Sequence, residues 1–338
     1  MMRRSVLFAM LAAFAVLQAS AEEKGPLKGA ESRSDKRVLK VLMIGNSFTA
    51  SVMRETPSLA KAEGIALDIV QCGIGGCPLD KHSANIEKAD DKSFKPYSVS
   101  ASITSEPGKR FPHKANVTDM LAAEKWDIVT IQQASPKSPF PDTYQPYADN
   151  LIAKIRELAP QAEIVIQETW SYTPYATGHL KKWNMTPETM HAAIKNAYGI
   201  LAAKHKLRTI PTGDAVQLYR QKLPVNYGKI LTQAEIAAIP KPGLVDFHDD
   251  PAGNSSWKKG RKEQKDADQI KLRLDTIHLN PKGHYLQACT WLAALFGTDV
   301  TKLAYAPAGL DPEKAKLMRA CAAEAVAAEI AARTGKTR

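Results

Sequence analysis

Three residues far apart in the chain carry complementary chemistry: Ser47, Asp275 and His278. A serine hydroxyl is a poor nucleophile at neutral pH. It needs an imidazole to take its proton, and the imidazole needs a carboxylate to fix its tautomer. Asp275-Thr276-Ile277-His278 offers both partners three residues apart, just ahead of a helix start at Asn280-Pro281. Ser47 lies in Gly45-Asn46-Ser47-Phe48-Thr49, after an apolar run and before a helix whose free N–H groups can hold an anion. Taken singly, such a serine caps a helix and an Asp-x-x-His is a loop aspartate beside a surface histidine. Together they point to nucleophilic acyl transfer.

Alternating strands and helices must position these residues. Residues 38–44 are apolar on both faces, the pattern of a buried parallel strand. A helix over 51–63 ends at Gly64, and a second strand over 66–71 runs into the loop Gly73-Ile74-Gly75-Gly76. After a polar insert near 80–116 come a helix (117–124), a strand (127–131), a helix (147–158), a strand (163–167), a helix (187–205) and a short strand (207–210). An irregular insert follows at 225–271, with one short helix at 232–238; then a helix over 281–296 and an alanine-rich helix over 312–333. Repeated strand–helix units predict an α/β protein with a parallel sheet covered on both sides. Ligands of such sheets bind beyond the carboxyl ends of the strands, where Ser47, the glycine loop and Gln132-Gln133 all fall. With no internal repeat and no linker, residues 37–338 read as one domain with two inserts.

Three blocks resemble the SGNH/GDSL hydrolases: Gly45-Asn46-Ser47-Phe48-Thr49, Gly75-Gly76-Cys77-Pro78-Leu79-Asp80-Lys81-His82 and Asp275-Thr276-Ile277-His278-Leu279-Asn280. More narrowly they resemble a secreted bacterial branch in which the usual Gly-Asp-Ser is Gly-Asn-Ser. The resemblance implies a flavodoxin-like three-layer α/β/α sandwich and ester hydrolysis through an acyl-enzyme. Ser47 would be the nucleophile, His278 the general base and then acid, and Asp275 its orienter. It also implies an oxyanion hole from the N–H groups of Ser47 and Gly76, with Gly75 beside them and Asn46 next to the nucleophile. The asparagine that the family carries after the third strand is absent. A glutamine amide offers the same N–H donors: Gln132, which resembles a glutamine of this branch, takes its place in this reading, with Gln133 the alternative, and Asn46, Gly75, Gln133 and Trp170 are the candidate substrate contacts. The substrate class implied is a small acyl ester, acetyl above all, on carbohydrate. A lipid or aryl esterase on the same fold, and a catalytically idle glycan-binding module, stay open.

The remaining features bear on setting. Met1–Arg4 are basic, residues 5–17 apolar, and Ala19-Ser20-Ala21 suits a signal peptidase, so residues 1–21 read as a signal peptide and 22–36 as a flexible leader. The apolar run is shorter than the ~20 residues that span a bilayer. The expectation is therefore an exported protein, periplasmic or extracellular, without integral membrane contact after cleavage. In such a compartment disulfides persist; of the three connectivities the local pairs Cys72–Cys77 and Cys289–Cys321 are preferred, and four small buried thiols stand as the alternative. The formal charge of +11 raises anionic partners. Nucleic acid is not expected, because the basic run Lys258-Lys259-Gly260-Arg261-Lys262 has only Trp257 beside it. No cofactor or metal is expected: Phe247-His248-Asp249-Asp250 lacks a calcium-loop pattern and reads as a solvated loop. Trp170, after the fourth strand, either stacks on a sugar at the rim or packs in the core. His82 and His284, which flank the second and third blocks, read as helix-surface or loop-packing residues.

Overall fold

A computed structural model describes residues 38–222, 238, 244–245, 250–253, 255–259, 270–273 and 275–335. The segment read as signal peptide and leader lies outside the described residues, as do most of the 225–271 insert and all but the last position of the helix read at 232–238.

The chain begins with β1 (Leu39–Gly45), a one-turn α1 (Ser47–Ala50), α2 (Val52–Ala62) and β2 (Leu67–Gly73). Next come α3 (Leu79–Glu87), β3 (Tyr97–Ser102), β4 (Lys114–Ala115), α4 (Val117–Ala122), β5 (Ile128–Ile131) and α5 (Tyr147–Leu158). Then follow β6 (Glu163–Gln167), α6 (Thr177–Trp183), α7 (Pro187–His205), β7 (Arg208–Ile210) and α8 (Thr212–Lys222). Short strands β8 (Leu244–Val245), β9 (Ser255–Lys259) and β10 (Ile270–Arg273) form a separate antiparallel sheet. Helices α9 (Pro281–Phe296) and α10 (Pro312–Thr334) complete the described chain.

The seven-stranded sheet has the order β4-β3-β2-β1-β5-β6-β7. Its five parallel members, counted along the chain, run 2-1-3-4-5, the flavodoxin-like order. β1 is the switch point: Leu39 pairs with Leu67 of β2 on one side and Val41 with Ile128 of β5 on the other. Right-handed crossovers then put the helix before β2 and the helices after it on opposite faces. In agreement, α2, α8, α9 and α10 pack among themselves, while α3, α4 and α5 form a second group. Cover on both faces explains why β2 is buried at every position and β1 at all but Lys40. On α5 the buried residues Ala148, Leu151, Ile152 and Ile155 trace one apolar stripe at helical spacing. No helix among the described residues is long and apolar enough to cross a membrane.

The central strands are parallel, as expected. Two expectations are corrected. The stretch read as a polar insert holds α3, and its strands β3 and β4 extend the sheet antiparallel at its edge. β3, Tyr97-Ser98-Val99-Ser100-Ala101-Ser102, is partly exposed, which antiparallel edges tolerate and parallel strands do not. The cysteine pairs are not formed either. Cys72, Cys77, Cys289 and Cys321 are all free and buried. The β1 and β3 ladders fix Cys72, whereas Cys77 lies beyond a turn closed by its own N–H on the Ile74 carbonyl. Burial pushes the thiol pKa up, to about 12 for Cys77 and Cys289 and about 11 for Cys321. Such thiols act as small hydrophobes.

Candidate active site

Ser47 is presented by a sharp strand-to-helix turn. β1 stops at Gly45, where a Cβ would lie 1.9 Å from Thr49 Oγ1 and 3.2 Å from Gln132 Cγ, so only glycine fits as the turn is built. Asn46 then caps α1: its Oδ1 accepts the Phe48 N–H at 3.0 Å, and its own N–H donates to Thr49 Oγ1 at 3.3 Å. Behind the turn, Ser51 Oγ donates to Gln287 Oε1 at 2.7 Å and ties the start of α2 to α9.

The segment leading into α9 brings up the other two residues. Ser47 Oγ lies 2.9 Å from His278 Nε2, and His278 Nδ1 lies 2.8 Å from Asp275 Oδ2. With Nδ1–H donated to the carboxylate, Nε2 is bare and can accept the hydroxyl proton. Asp275 Oδ1 also accepts the N–H groups of Ile277 (3.2 Å) and His278 (3.1 Å). Burial by itself would raise the Asp275 pKa; the His278 ring and these two N–H groups outweigh it and hold the carboxyl below its ordinary value.

Three successive carbonyls of this loop are gripped from outside. The Thr276 oxygen accepts from Thr173 N–H and Oγ1, both at 3.1 Å. Trp170 Nε1 donates to the Ile277 oxygen at 2.8 Å, and the Gly253 N–H donates to the His278 oxygen at 2.8 Å. Trp170 also stacks on Phe48, with centroids 4.1 Å apart and planes 5° from parallel, and the Phe48 ring meets His278 edge-on at 5.4 Å. Trp170 has no exposed surface, so it is a support beneath the site and not a sugar platform at its rim.

On the opposite side of Ser47, the glycine turn is pinned to β1: Ile74 N–H donates to the Gly45 oxygen and Asn46 Nδ2 to the Cys77 oxygen, each at 3.1 Å. Gly75 and Gly76 are exposed, and Gly76 has a φ of +63°, the left-handed region that favours glycine. Among the described residues no acceptor takes the N–H of Ser47, Gly75 or Gly76. Free N–H groups on both walls of the turn can face a developing oxyanion. Gln132 is buried and its Nε2 donates to Asn46 Oδ1 at 2.8 Å, so its amide braces the serine turn. Asn46 and Gln133, read as substrate contacts, are spent on the scaffold. The buried Asn46 amide donates to the Cys77 carbonyl and accepts at Oδ1 from the Phe48 N–H and from Gln132. Gln133 Oε1 accepts the N–H groups of Leu79 and Ala134 at 2.9 Å, while its Nε2 donates to the Thr143 oxygen.

Sequence reasoning missed the supports. Asp250, read as part of a solvated loop, is buried against Arg220, and the signal was there only as an acidic pair. His82 is a core residue bonded through Nδ1 to Tyr97 Oη at 2.9 Å, its pKa pushed down to about 4 by burial. His284 is pushed down to about 4 as well, first by burial and then by Arg54 and His278. Glu168, His191 and Asp214 form a group of metal-ligating types. However, the Asp214 carboxylate is met by His191 at 2.9 Å and Lys195 at 2.7 Å, which makes it an ion-pair network.

Fold and site together define a doubly wound α/β protein with a Ser–His–Asp relay at the carboxyl edge of its sheet. The chain belongs to the DUF4886 family, a domain of unknown function, whose model matches residues 40–224. It is similar to the crystal structure of a DUF4886 family protein from Bacteroides uniformis, with 27% identity over 86% of this chain and 95% of that one and a TM-score of 0.66. More remote likenesses include a candidate SGNH hydrolase from Slackia heliotrinireducens (19% identity, 77% of this chain, 100% of that one, TM-score 0.41). A family 3 carbohydrate esterase of Clostridium thermocellum is similar at 12% identity over 76% of this chain and 94% of that one, with a TM-score of 0.37. No curated protein matches the sequence.

Proposed function

We propose that the protein is an exported serine esterase of the SGNH type that removes acetyl or similarly small acyl groups from carbohydrate, and that residues 37–338 form its one domain. The observation that carries the chemistry is the unbroken relay from Ser47 Oγ through the His278 ring to the Asp275 carboxylate, at 2.9 and 2.8 Å. Ser47 Oγ attacks the ester carbonyl carbon while its proton passes to His278 Nε2. The carbonyl oxygen, now anionic, faces the N–H groups of Ser47 and Gly76. The bond to the sugar oxygen then breaks and His278 returns the proton to that oxygen, leaving the acyl group on Ser47. A water molecule, deprotonated by His278, attacks the acyl carbon; the acid leaves and the Ser47 hydroxyl is restored.

The carbohydrate part rests on the resemblance of the three sequence blocks and on the export-type start of the chain. The openness of the site is in keeping with it: Gly75 and Gly76 are exposed and His278 and Asp275 each keep a third of their side-chain surface, so an ester on a bulky glycan can reach Ser47. The test is acetate release from a panel of acetylated glycans, beside a long-chain acyl ester, with Ser47→Ala as control. Acetate release that Ser47→Ala abolishes is expected. Release unchanged in Ser47→Ala would end the assignment.

A further inference from the structure

Arg220, in the last turns of α8, has a fully buried guanidinium. Its Nη1 donates to the Ser171 hydroxyl at 2.7 Å and to the Ser171 carbonyl at 3.2 Å. Its Nε and Nη2 both donate to Asp250 Oδ1 at 3.1 Å. These partners belong to the two segments that grip the His278 loop. Ser171 sits between Trp170 and Thr173, which hold the Ile277 and Thr276 carbonyls. Asp250 opens the segment whose Gly253 holds the His278 carbonyl.

The second segment is stiffened by further bonds. Asp250 Oδ1 accepts the Ala252 N–H at 2.9 Å, and the Asp250 carbonyl accepts Asn280 Nδ2 at 2.7 Å. Asn280 N–H donates to the Pro251 carbonyl, and Asn280 Oδ1 caps α9 through the Gly283 N–H at 3.1 Å. A Cβ on Gly283 would lie 2.0 Å from the Pro251 oxygen, so the first turn of α9 rests directly on this segment. The planar fork of an arginine spreads five donors over three nitrogens and so reaches both segments at once, whereas the three donors of a lysine radiate from a single atom.

We propose that Arg220 is a positioning residue that joins segments 170–173 and 250–253 into one frame and so sets His278 against Ser47. The proposal rests on the reading of Ser47 as nucleophile. It gives a reason for keeping a buried ion pair that is costly to desolvate. A displacement of about 1 Å in a reacting pair lowers rate by about 10²-fold.

The test compares Arg220→Met and Arg220→Lys with Leu151→Ala, a core cavity on α5 that matches loss of stability without touching the loop. Two quantities are read: the rate at which a fluorophosphonate labels Ser47, and amide hydrogen exchange over residues 275–280. Labelling about 10²-fold slower and faster exchange at 276–278 are expected for Arg220→Met. Arg220→Lys should fall between, and Leu151→Ala should label at the wild-type rate despite a lower Tm. If Arg220→Met does not fold, Arg220→Lys against Leu151→Ala decides by the same readouts. Wild-type labelling and exchange in the Arg220 variants, or equal labelling losses in Leu151→Ala, would overturn the proposal. Failure of the wild type to label would sink the nucleophile reading instead, and exchange would still decide whether Arg220 holds the loop.

Discussion

Replacing Trp170 with phenylalanine separates a buried support from a sugar-binding surface. Phenylalanine keeps an aromatic ring against Phe48 but deletes the Nε1–H that the Ile277 carbonyl accepts at 2.8 Å. A buried carbonyl that loses its donor costs about 1–3 kcal/mol. Ile277 is only half-buried and its neighbours Thr276 and His278 stay gripped, so the lower half of that range applies. With each 1.36 kcal/mol worth tenfold in rate, kcat should fall by about five- to thirtyfold and KM should not change. Trp170→Ala is less informative: it also removes the stacked pair and opens a cavity, a loss of about 3–5 kcal/mol that threatens the fold itself. The assay is kcat and KM on a soluble acetyl ester and on an acetylated glycan. A raised KM on the glycan with kcat intact would refute the reasoning, because it would mean that Trp170 touches substrate.

Asp275→Asn leaves the loop in place but no longer favours the tautomer with a bare Nε2; kcat should drop on the order of 10⁴-fold while Tm stays near wild type, measured by ester hydrolysis and thermal melts. His82 makes stability pH-dependent. An unfolded histidine titrates near 6.5 and the buried one only at about 4, so the unfolded chain binds the extra proton and stability declines as pH falls from about 6.5 to 4, by about 3 kcal/mol. Melts from pH 7 to 4.5 should show a steeper decline for wild type than for His82→Asn, and parallel slopes would count against the assignment. The cysteines should be silent to a thiol reagent in the native protein and react as four thiols in denaturant without reductant, whereas two or none would mean pairing.

Elements with a strong period and clear punctuation were legible in the sequence. The helices at 147–158, 187–205 and 281–296 and the strand at 163–167 have the bounds read from pattern and caps. Two of the missed helices bury polar side chains, which hydrophobic periodicity does not see. α3 hides His82, Ser83 and Asn85, and α8 hides Gln217 and Arg220. The three residues of the proposed relay were legible because their chemistry demands particular types. Their supports were not. Arg220 and Asp250 are charged residues thirty positions apart, and a charged side chain reads as solvated until its partner is known. Gln132 was read as an oxyanion donor from its type; that one of its two N–H groups is taken by Asn46 Oδ1 is visible only in three dimensions.

The grip on residues 276–278 falls on main-chain oxygens, and the side chains there take no part in it. The rim next to His278 can therefore change its chemical face without re-aiming the ring. Saturation libraries at Thr276, whose side chain is half-exposed, should retain serine labelling across polar, apolar and charged replacements. A specificity determinant on this side of the cleft can then be altered two residues from the histidine.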